Sequence, residues 1–590
     1  MKLRFTYIFT ALAVFYFAPV NAQVKPKKAP AKKATVTPAA ANKLGDAASK
    51  TAQDTTKKNN QNAASLSEEI VVTTSYKPVL ADAVKIRRNP DLEDTSPFKA
   101  PLTYSTLDKR LTKDNEIQQL DAMKRPPERD SVPSNNYVRA GLGSMKTTFA
   151  EGYFGNGKDE ALQIGGYVKH FAQSGTEFEK QNESRNELAV FGKSIVDEHV
   201  FTGKINYKRR GVNFYGYDKL AETLPEFEPQ KQTFNTIGAE GEVTKKYTGA
   251  ENEFTYAAKI QGYIFSNAFS AKENNLVLSG FLNKTVKQFY AGVAGSLDLS
   301  TQKDIAYSEN NSIIRANPYI KLQGDNYKVD AGVTIAKEFG LNDRFFIFPA
   351  AKLELQVIPK YVRLFAEATG DVNKASIRNF ADINPFIGEN IQLRNSVDQL
   401  NISLGLKGTL APGLGFKATF FRNSVKDMPL FVNTFDETAV NNKFGVIYDL
   451  GRSRVSGFNG ELDFKATDDF NIFGRVEFKD YKMNTEIEAW NLPKFKLTAG
   501  TVIRINDKVN VTGSLVIRGS TYDKWIDEEN VVRRASISSY VDLNGGVEYK
   551  ATKQLSIFVQ ANNLLNNTNP TWLYYNNYGF NIFGGVGYAF

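Results

Sequence analysis

The chain contains no cysteine. Disulfide staples, thiolate metal sites and a cysteine nucleophile are thereby excluded, as is lipid anchoring through an N-terminal cysteine. Its two histidines, His170 and His199, are too few for a multi-histidine metal site and a thin basis for imidazole catalysis. No apolar run of about 18 residues follows the first stretch Met1–Ala22, so no helix is expected to cross a membrane. Phosphate-loop, zinc and calcium-loop spacings are also missing. The residues nominate no catalytic group, no cofactor and no metal ligand, and an enzyme is not expected.

Excess positive charge on the body of the chain is lacking too, although the net charge is +10. Residues 1–60 hold 11 Lys and Arg against two Asp, and residues 61–136 hold 11 basic against 12 acidic residues. Only +2 is left for residues 137–590. The basic balance belongs to a tail, so a nucleic-acid partner, which needs a basic face on a folded body, is not expected.

What is present begins with an export signal. Lys2 and Arg4 precede the apolar run Phe5–Ala18, and Val20-Asn21-Ala22 supplies small residues for cleavage, so 1–22 reads as a signal peptide. Residues 23–66 are rich in Lys, Ala, Pro, Thr and Asn; they lack the apolar side chains needed to offset ordering entropy and read as a disordered linker. Residues 67–136 open with Ile70-Val71-Val72 and then become Pro-rich, with too few large apolar residues for an independent domain.

From Tyr137 onward the pattern is strand, turn, strand. Phe495, Leu497, Ala499, Thr501, Ile503 and Ile505 alternate with polar residues, as do Val509, Val511, Leu515 and Ile517 after the turn at 506–508. Phe580, Ile582, Val586, Tyr588 and Phe590 make a last apolar row. The runs are long for soluble sheets, and the polar rows carry full charges such as Asp463, Lys465, Arg475 and Glu477. Short connections such as 358–361 and 410–413 alternate with long ones such as 216–230, 301–310, 371–397 and 426–441. Together these predict an all-β fold: a transmembrane antiparallel β-barrel over 137–590 with about 22 strands, or 20 or 18 if boundaries shift. Lys443–Ala466 counts as one strand with an irregularity at Gly451-Arg452-Ser453. An even count returns both barrel ends of the chain to the periplasmic side of a Gram-negative outer membrane.

The C-terminal third resembles the last strands of TonB-dependent receptors. The likeness is carried by Val455-Ser456-Gly457-Phe458, the approach Asn491-Leu492-Pro493-Lys494, the stretch Ala561-Asn562-Asn563-Leu564-Leu565-Asn566 and the aromatic finish. Tyr137-Val138-Arg139-Ala140-Gly141-Leu142-Gly143 resembles the first barrel strand of the same family. The resemblance implies a 22-stranded barrel and solute uptake or capture across the outer membrane. Glu68, Glu69, Ile70, Val71, Val72, Thr73 and Thr74 resemble the segment around a TonB box, which implies TonB or another periplasmic protein as partner. Only about 60 residues separate that segment from the first strand, fewer than the family's plug domain needs.

Several roles follow as expectations. Glu69 to Thr73 would add as a strand to a partner's sheet edge. Residues 67–136 would enter a lumen that is otherwise wide for 22 strands. Phe590 would serve as the signal read by the barrel-assembly machinery. Phe380 and Phe386 in 371–397, with Met428, Leu430 and Phe431 in 426–441, are apolar for outer-mouth loops: they either recognise a partner or pack over the mouth. Beyond the lipid bilayer, a surface lipoprotein or a second barrel is a further expected partner. A scaffold subunit of an export or assembly complex and a passive diffusion channel stand as the alternative functions.

Overall fold

In the computed structural model, the described residues are 136–590, apart from 157–160, 218–227, 247–252, 287–288, 435–441, 468 and 527–530. The signal peptide, the linker, the segment 67–136 and the expected partner strand Glu69–Thr73 lie outside them.

Alternation along each strand sets the architecture. In Lys272–Val286 the side chains of Leu276, Leu278, Leu282 and Val286 stand exposed on one face, while Glu273, Asn275, Phe281, Asn283 and Thr285 are buried on the other. A period of two sends these sets to opposite sides of a pleated sheet. Repeated around the sheet, the exposed set forms a continuous apolar outer belt that includes Val168, Ile205, Ile237, Ile264, Val293 and Ile320. The inner face carries charge in pairs: Lys259 with Glu240 at 3.1 Å, Lys407 with Glu354 at 2.6 Å and Arg475 with Glu461 at 3.0 Å. Apolar outside and charged inside is the reverse of a soluble sandwich and suits a barrel set in lipid.

The strands form one 22-stranded sheet with antiparallel neighbours. It closes where Tyr137–Gly143 pairs with Asn581–Ala589, from Tyr137 opposite Ala589 to Gly143 opposite Phe583. Arg139 marks this seam on the inner face, bonded to Glu151 at 2.8 Å and lying 4.1 Å above the Phe558 ring. At the end where Asn136 and Phe590 lie the connections are short, as at 359–361, 412–413 and 507–508. At the opposite, distal end short connections such as 304–307 and 341–344 stand beside long ones, as at 214–230, 374–395, 483–494 and 563–580. Two small hairpins stand in distal connections: Thr521–Ile526 with Val532–Ile537, and Pro570–Trp572 with Tyr575–Asn576.

The expected count of 22 and the single strand through Gly451 are found: Lys443–Thr467 runs 25 residues, with Gly451 at φ +92° beside a bulge between Lys426 and Met428. Two expectations need correction. Residues 301–310 are not a long loop, because Phe289–Lys303 and Ser308–Gln323 are joined by four residues. The stretch 426–441 is not mainly loop either. Leu414–Thr434 is a 21-residue strand whose end pairs with Lys443–Asp449 to form a hairpin that outruns its neighbours. The hairpin is covered on both faces, so it shows no polar alternation.

The seam generates a test. A Cβ on Gly585 would stand 1.9 Å from the Ala140 carbonyl oxygen across the closing pair, and backbone cannot yield there. Gly585→Val should strain closure by about 1–3 kcal/mol or more and abolish the heat-dependent shift in gel mobility of the folded barrel. Gly474→Ala, whose Cβ meets nothing within 4 Å, should leave that shift intact.

Candidate functional site

The chemistry-bearing region is the distal mouth, where loops from distant parts of the sheet meet. Its first component is the segment 374–395, with the short helix Ile377–Ile383 (α1). Ser376 caps α1, its hydroxyl oxygen accepting from the Asn379 amide at 3.2 Å while the hydroxyl donates to Glu273 at 3.0 Å. Glu273 also accepts from the Arg378 amide at 3.0 Å and the Tyr263 hydroxyl at 2.6 Å. The Arg378 guanidinium lies 3.7 Å over the Tyr263 ring.

Before the helix, Lys374 bonds Asp298, with 1% and 0% of their side chains exposed. Gln302 donates to the Ala375 carbonyl at 2.8 Å. At the far end of the segment, Asn395 accepts from the Ala375 amide and donates to Asn311 and Glu338, each at 2.8 Å. The segment is therefore tied by its polar groups to the inner face of the strands between Phe254 and Gly340. Charges so deeply withdrawn from water are tolerated because each meets a partner.

The second component is an apolar core laid over those anchors. Phe386 stacks on Tyr575 with ring centroids 3.6 Å apart, and Tyr215 meets both rings edge-on at 5.8 and 5.1 Å. Phe431 packs edge-on against Phe380 at 5.8 Å and Trp572 at 5.5 Å. The Tyr575 hydroxyl donates to the Asn442 carbonyl, and the Asn442 side chain donates to the Gly216 carbonyl at 2.7 Å. These contacts join loops that leave the sheet far apart: 214–230, 374–395, the long hairpin and 563–580. On a closed ring such loops can touch only by converging over the lumen. The distal mouth is capped by its own loops.

The long hairpin is sandwiched within the cap. One face, with Phe431, Phe444, Val446 and Tyr448, joins the core around Phe386 and Tyr575. The other, with Leu430 and Val432, packs on Trp490 of the loop 483–494. Asp449 fixes that loop by accepting from the amides of Asn484, Thr485 and Glu486 at 2.6–2.8 Å. Against the same hairpin lies Asp523, fully buried, accepting from the amides of Asn433 at 3.1 Å and Lys524 at 2.8 Å. The Asn491 side chain lies against it as well. Burial pushes its carboxyl up to about 6. The Tyr307 hydroxyl, in another distal turn, is likewise pushed up by burial and donates to the Ile391 carbonyl at 2.9 Å.

The five apolar residues singled out in the sequence are all buried: Phe380, Phe386 and Phe431 in the core over α1, Leu430 against Trp490, and Met428 with Val425 and Val455. Of the two roles open to them, packing over the mouth is the one this burial fits. Sequence reasoning missed Lys374, Asp298, Glu273, Asn395 and Asp523, whose partners lie 76 residues away in the first pair and 103 from Ser376 to Glu273. Their one signal was polar side chains on rows expected to face a lumen. His170 bonds Asn186 at 2.7 Å and Thr148 at 3.0 Å, and His199 bonds the Tyr256 hydroxyl at 2.8 Å; the two stand on different strands. Phe590 is exposed on the outer face beside Phe154 and Tyr588, and its amide donates to the Asn136 carbonyl at 2.9 Å.

Two predictions come from the cap. Lys374→Met strands Asp298 in the interior and should loosen 374–395 at a cost of about 3–5 kcal/mol, whereas adding Asp298→Asn should recover most of the loss; hydrogen exchange of α1 reads both. Asp523 is raised above its ordinary value, so its contribution to docking is full below about pH 4, falls as pH rises through about 6 and is flat above that. Asp523→Asn should therefore tighten the hairpin at pH 7.5, by up to about 3 kcal/mol, and leave it little changed at pH 4, as measured by limited proteolysis of the distal loops.

No protein-family model matches the sequence, and no curated protein matches it. Solved structures do match the fold. The FrpB iron transporter from Neisseria meningitidis superposes with a TM-score of 0.58 at 10% identity, covering 77% of this chain and 81% of that one. The siderophore receptor PirA from Acinetobacter baumannii gives 0.56 at 12% identity, covering 77% and 80%. The ferric enterobactin receptor PfeA from Pseudomonas aeruginosa gives 0.55 at 12% identity with the same coverage. With so little identity the likeness is one of architecture, and it falls on the barrel type that the terminal strands resemble: the chain is a closed 22-stranded antiparallel barrel with the fold of TonB-dependent receptors.

Proposed function

We propose that the protein sits in the outer membrane of a Gram-negative bacterium, termini toward the periplasm, and takes part in uptake or capture of a solute. The observation that carries this reading is a closed barrel with an apolar outer belt and an ion-paired inner face. Iron and siderophore receptors share that architecture, which supports membrane insertion and uptake as a class and leaves the solute unnamed. In this reading residues 67–136 enter the lumen from the periplasmic end, and Glu69, Ile70, Val71, Val72 and Thr73 pair with the edge of TonB or another periplasmic protein. Phe590 is the residue read by the assembly machinery.

A second reading has an observation in its favour. The buried aromatic cap favours a barrel that holds its distal mouth shut, as a scaffold subunit beside a surface lipoprotein or second barrel would. The same cap counts against a passive channel.

Bilayer conductance of the purified protein separates these readings. The intact protein and a form lacking residues 24–136 should both be nearly silent, because the distal loops close the lumen by themselves. Phe386→Ala with Tyr575→Ala in the truncated form should open it, since the stack they form lies where the loops converge. Large conductance from the intact protein would make it a diffusion pore. Uptake lost on replacing Ile70 and Val72 with Asp would mark a driven receptor. Uptake unaffected, with a partner co-purifying in fixed ratio, would mark a scaffold.

A further inference from the structure

The inner wall beneath the cap carries a group that neither closure nor the anchoring of 374–395 uses. Arg185 and Arg210 stand directly opposite each other on the adjacent strands Asn182–Val196 and His199–Asn213. Like charges so placed destabilise a sheet. One acid lies between them. The same carboxylate oxygen of Glu183 accepts from Arg185 Nε at 2.7 Å and from Arg210 Nε at 2.8 Å. Among the described residues no second carboxylate pairs with either guanidinium, and the two side chains keep 12% and 21% of their surface open. Their Nη nitrogens are left as two donor forks. The Tyr578 hydroxyl, from the distal loop 563–580, lies within electrostatic reach of Glu183 and both arginines. Val212, two residues beyond Arg210 on the same face, already belongs to the core of the cap, so the pair sits just under the roof.

Charge around the pair does not cancel. In the next row down, Glu187 stands between Lys169 and Lys208. Asp382 of α1, which is exposed, bears on Arg210. Arg185, Arg210, Lys169 and Lys208 thus meet three acids, Glu183, Glu187 and Asp382, and one positive charge is left over. Further down, Lys204 is offset by Glu240. Beside Arg185 the wall turns aromatic. Phe171 is its cross-strand partner, and Phe149 is that of Phe171. Both are half-buried and pack over Phe583, at 6.1 and 5.6 Å between centroids. Phe583 and Phe558 cover seam glycines, which accounts for them. Phe149 and Phe171 lie over these rings and give apolar area to a wall that faces a polar lumen.

We infer that this wall binds an organic monocarboxylate with a flat apolar body, its carboxylate on the Nη nitrogens of Arg185 and Arg210 and its body against Phe171. Guanidinium forks match the two oxygens of a carboxylate, and a single excess charge fits one carboxylate better than a dianion. The inference rests on the uptake reading and gives it a solute class: the solute meets this wall after it has passed the cap.

The test uses the full-length protein folded in detergent, with para-fluorobenzoate as probe and fluorine NMR as readout; uncharged para-fluorobenzamide reports partition into the micelle. The variant Glu183→Gln with Arg185→Gln and Arg210→Gln removes both donors without stranding the acid, and Phe171→Leu removes the ring alone. The heat-dependent gel shift verifies closure of each. Fluorobenzoate should bind the parent and weaken by about tenfold in the triple variant and by about threefold in Phe171→Leu, with the benzamide indifferent to both. Equal fluorobenzoate binding by parent and triple variant overturns the inference, as does benzamide binding as tight as that of benzoate. If the triple variant does not close, Phe171→Leu decides, and no weakening there overturns the inference. Binding in detergent is independent of the membrane setting, which is checked apart in the chain without native cysteine. Ile487→Cys, on an exposed distal loop, should react with an impermeant maleimide on intact cells, and Lys508→Cys, in a short turn at the opposite end, only after permeabilisation. Labelling in that order with equal fluorobenzoate binding refutes the site alone; the reverse order, with the loss in the triple variant intact, refutes the setting and keeps the site.

Discussion

Backbone amides and carbonyls in hydrocarbon have no water to turn to, so a sheet in a membrane must satisfy all of them within itself. The pairing of Tyr137–Gly143 with Asn581–Ala589 is the step that removes the last open edge. Everything else in the molecule presupposes it. The apolar belt is tolerable only on a closed sheet, and the inner charges can pair only once their strands face a common lumen. The cap can form only when loops from opposite arcs of the ring are brought over one opening.

The cap and the wall below it divide the work of holding that opening shut. Aromatic contacts such as Phe386 on Tyr575 are non-directional and strong in sum, whereas the bonds of Glu273, Asn395 and Asp298 fix where the segment 374–395 enters the barrel. Polar groups in the wall set position, and apolar area above them supplies cohesion. Asp523 departs from this pattern. It is a carboxyl held among neutral amides, with no cation beside it to favour its charged form, at the place where the hairpin Thr521–Ile526 meets the long hairpin. Stability there is traded for a contact that responds to protons.

Much of the fold was legible in the sequence because membrane strands obey two simple rules. Alternation in Phe495–Asn506 and Val509–Arg518 reflects one face on lipid and one on the lumen, and short turns alternate with long loops because only one end is elaborated. The rules fail where their causes stop. Leu430, Phe431, Val432 and Asn433 are buried in succession because the hairpin has neighbours on both sides, so no period of two remains to mark it as strand. The cap was half legible. Apolar residues in loops signalled that something would be covered, but not that Phe386 would meet Tyr575 rather than a partner. The Lys374–Asp298 pair was not legible at all, since nothing local distinguishes those two charges from dozens of others.

The seam has a consequence for how the chain acquires its structure. Its partners are separated by almost the entire barrel sequence, so no early portion of the chain can bury its edges by closing on itself. Until the final strand arrives, a growing sheet presents an unpaired edge and an apolar face together, the combination most prone to aggregation. Loop-closure entropy for so long a span rises only slowly with length; the difficulty is therefore one of exposure time and not of thermodynamic cost. A chain with this topology gains most from whatever shields its first strand until the last one reaches it.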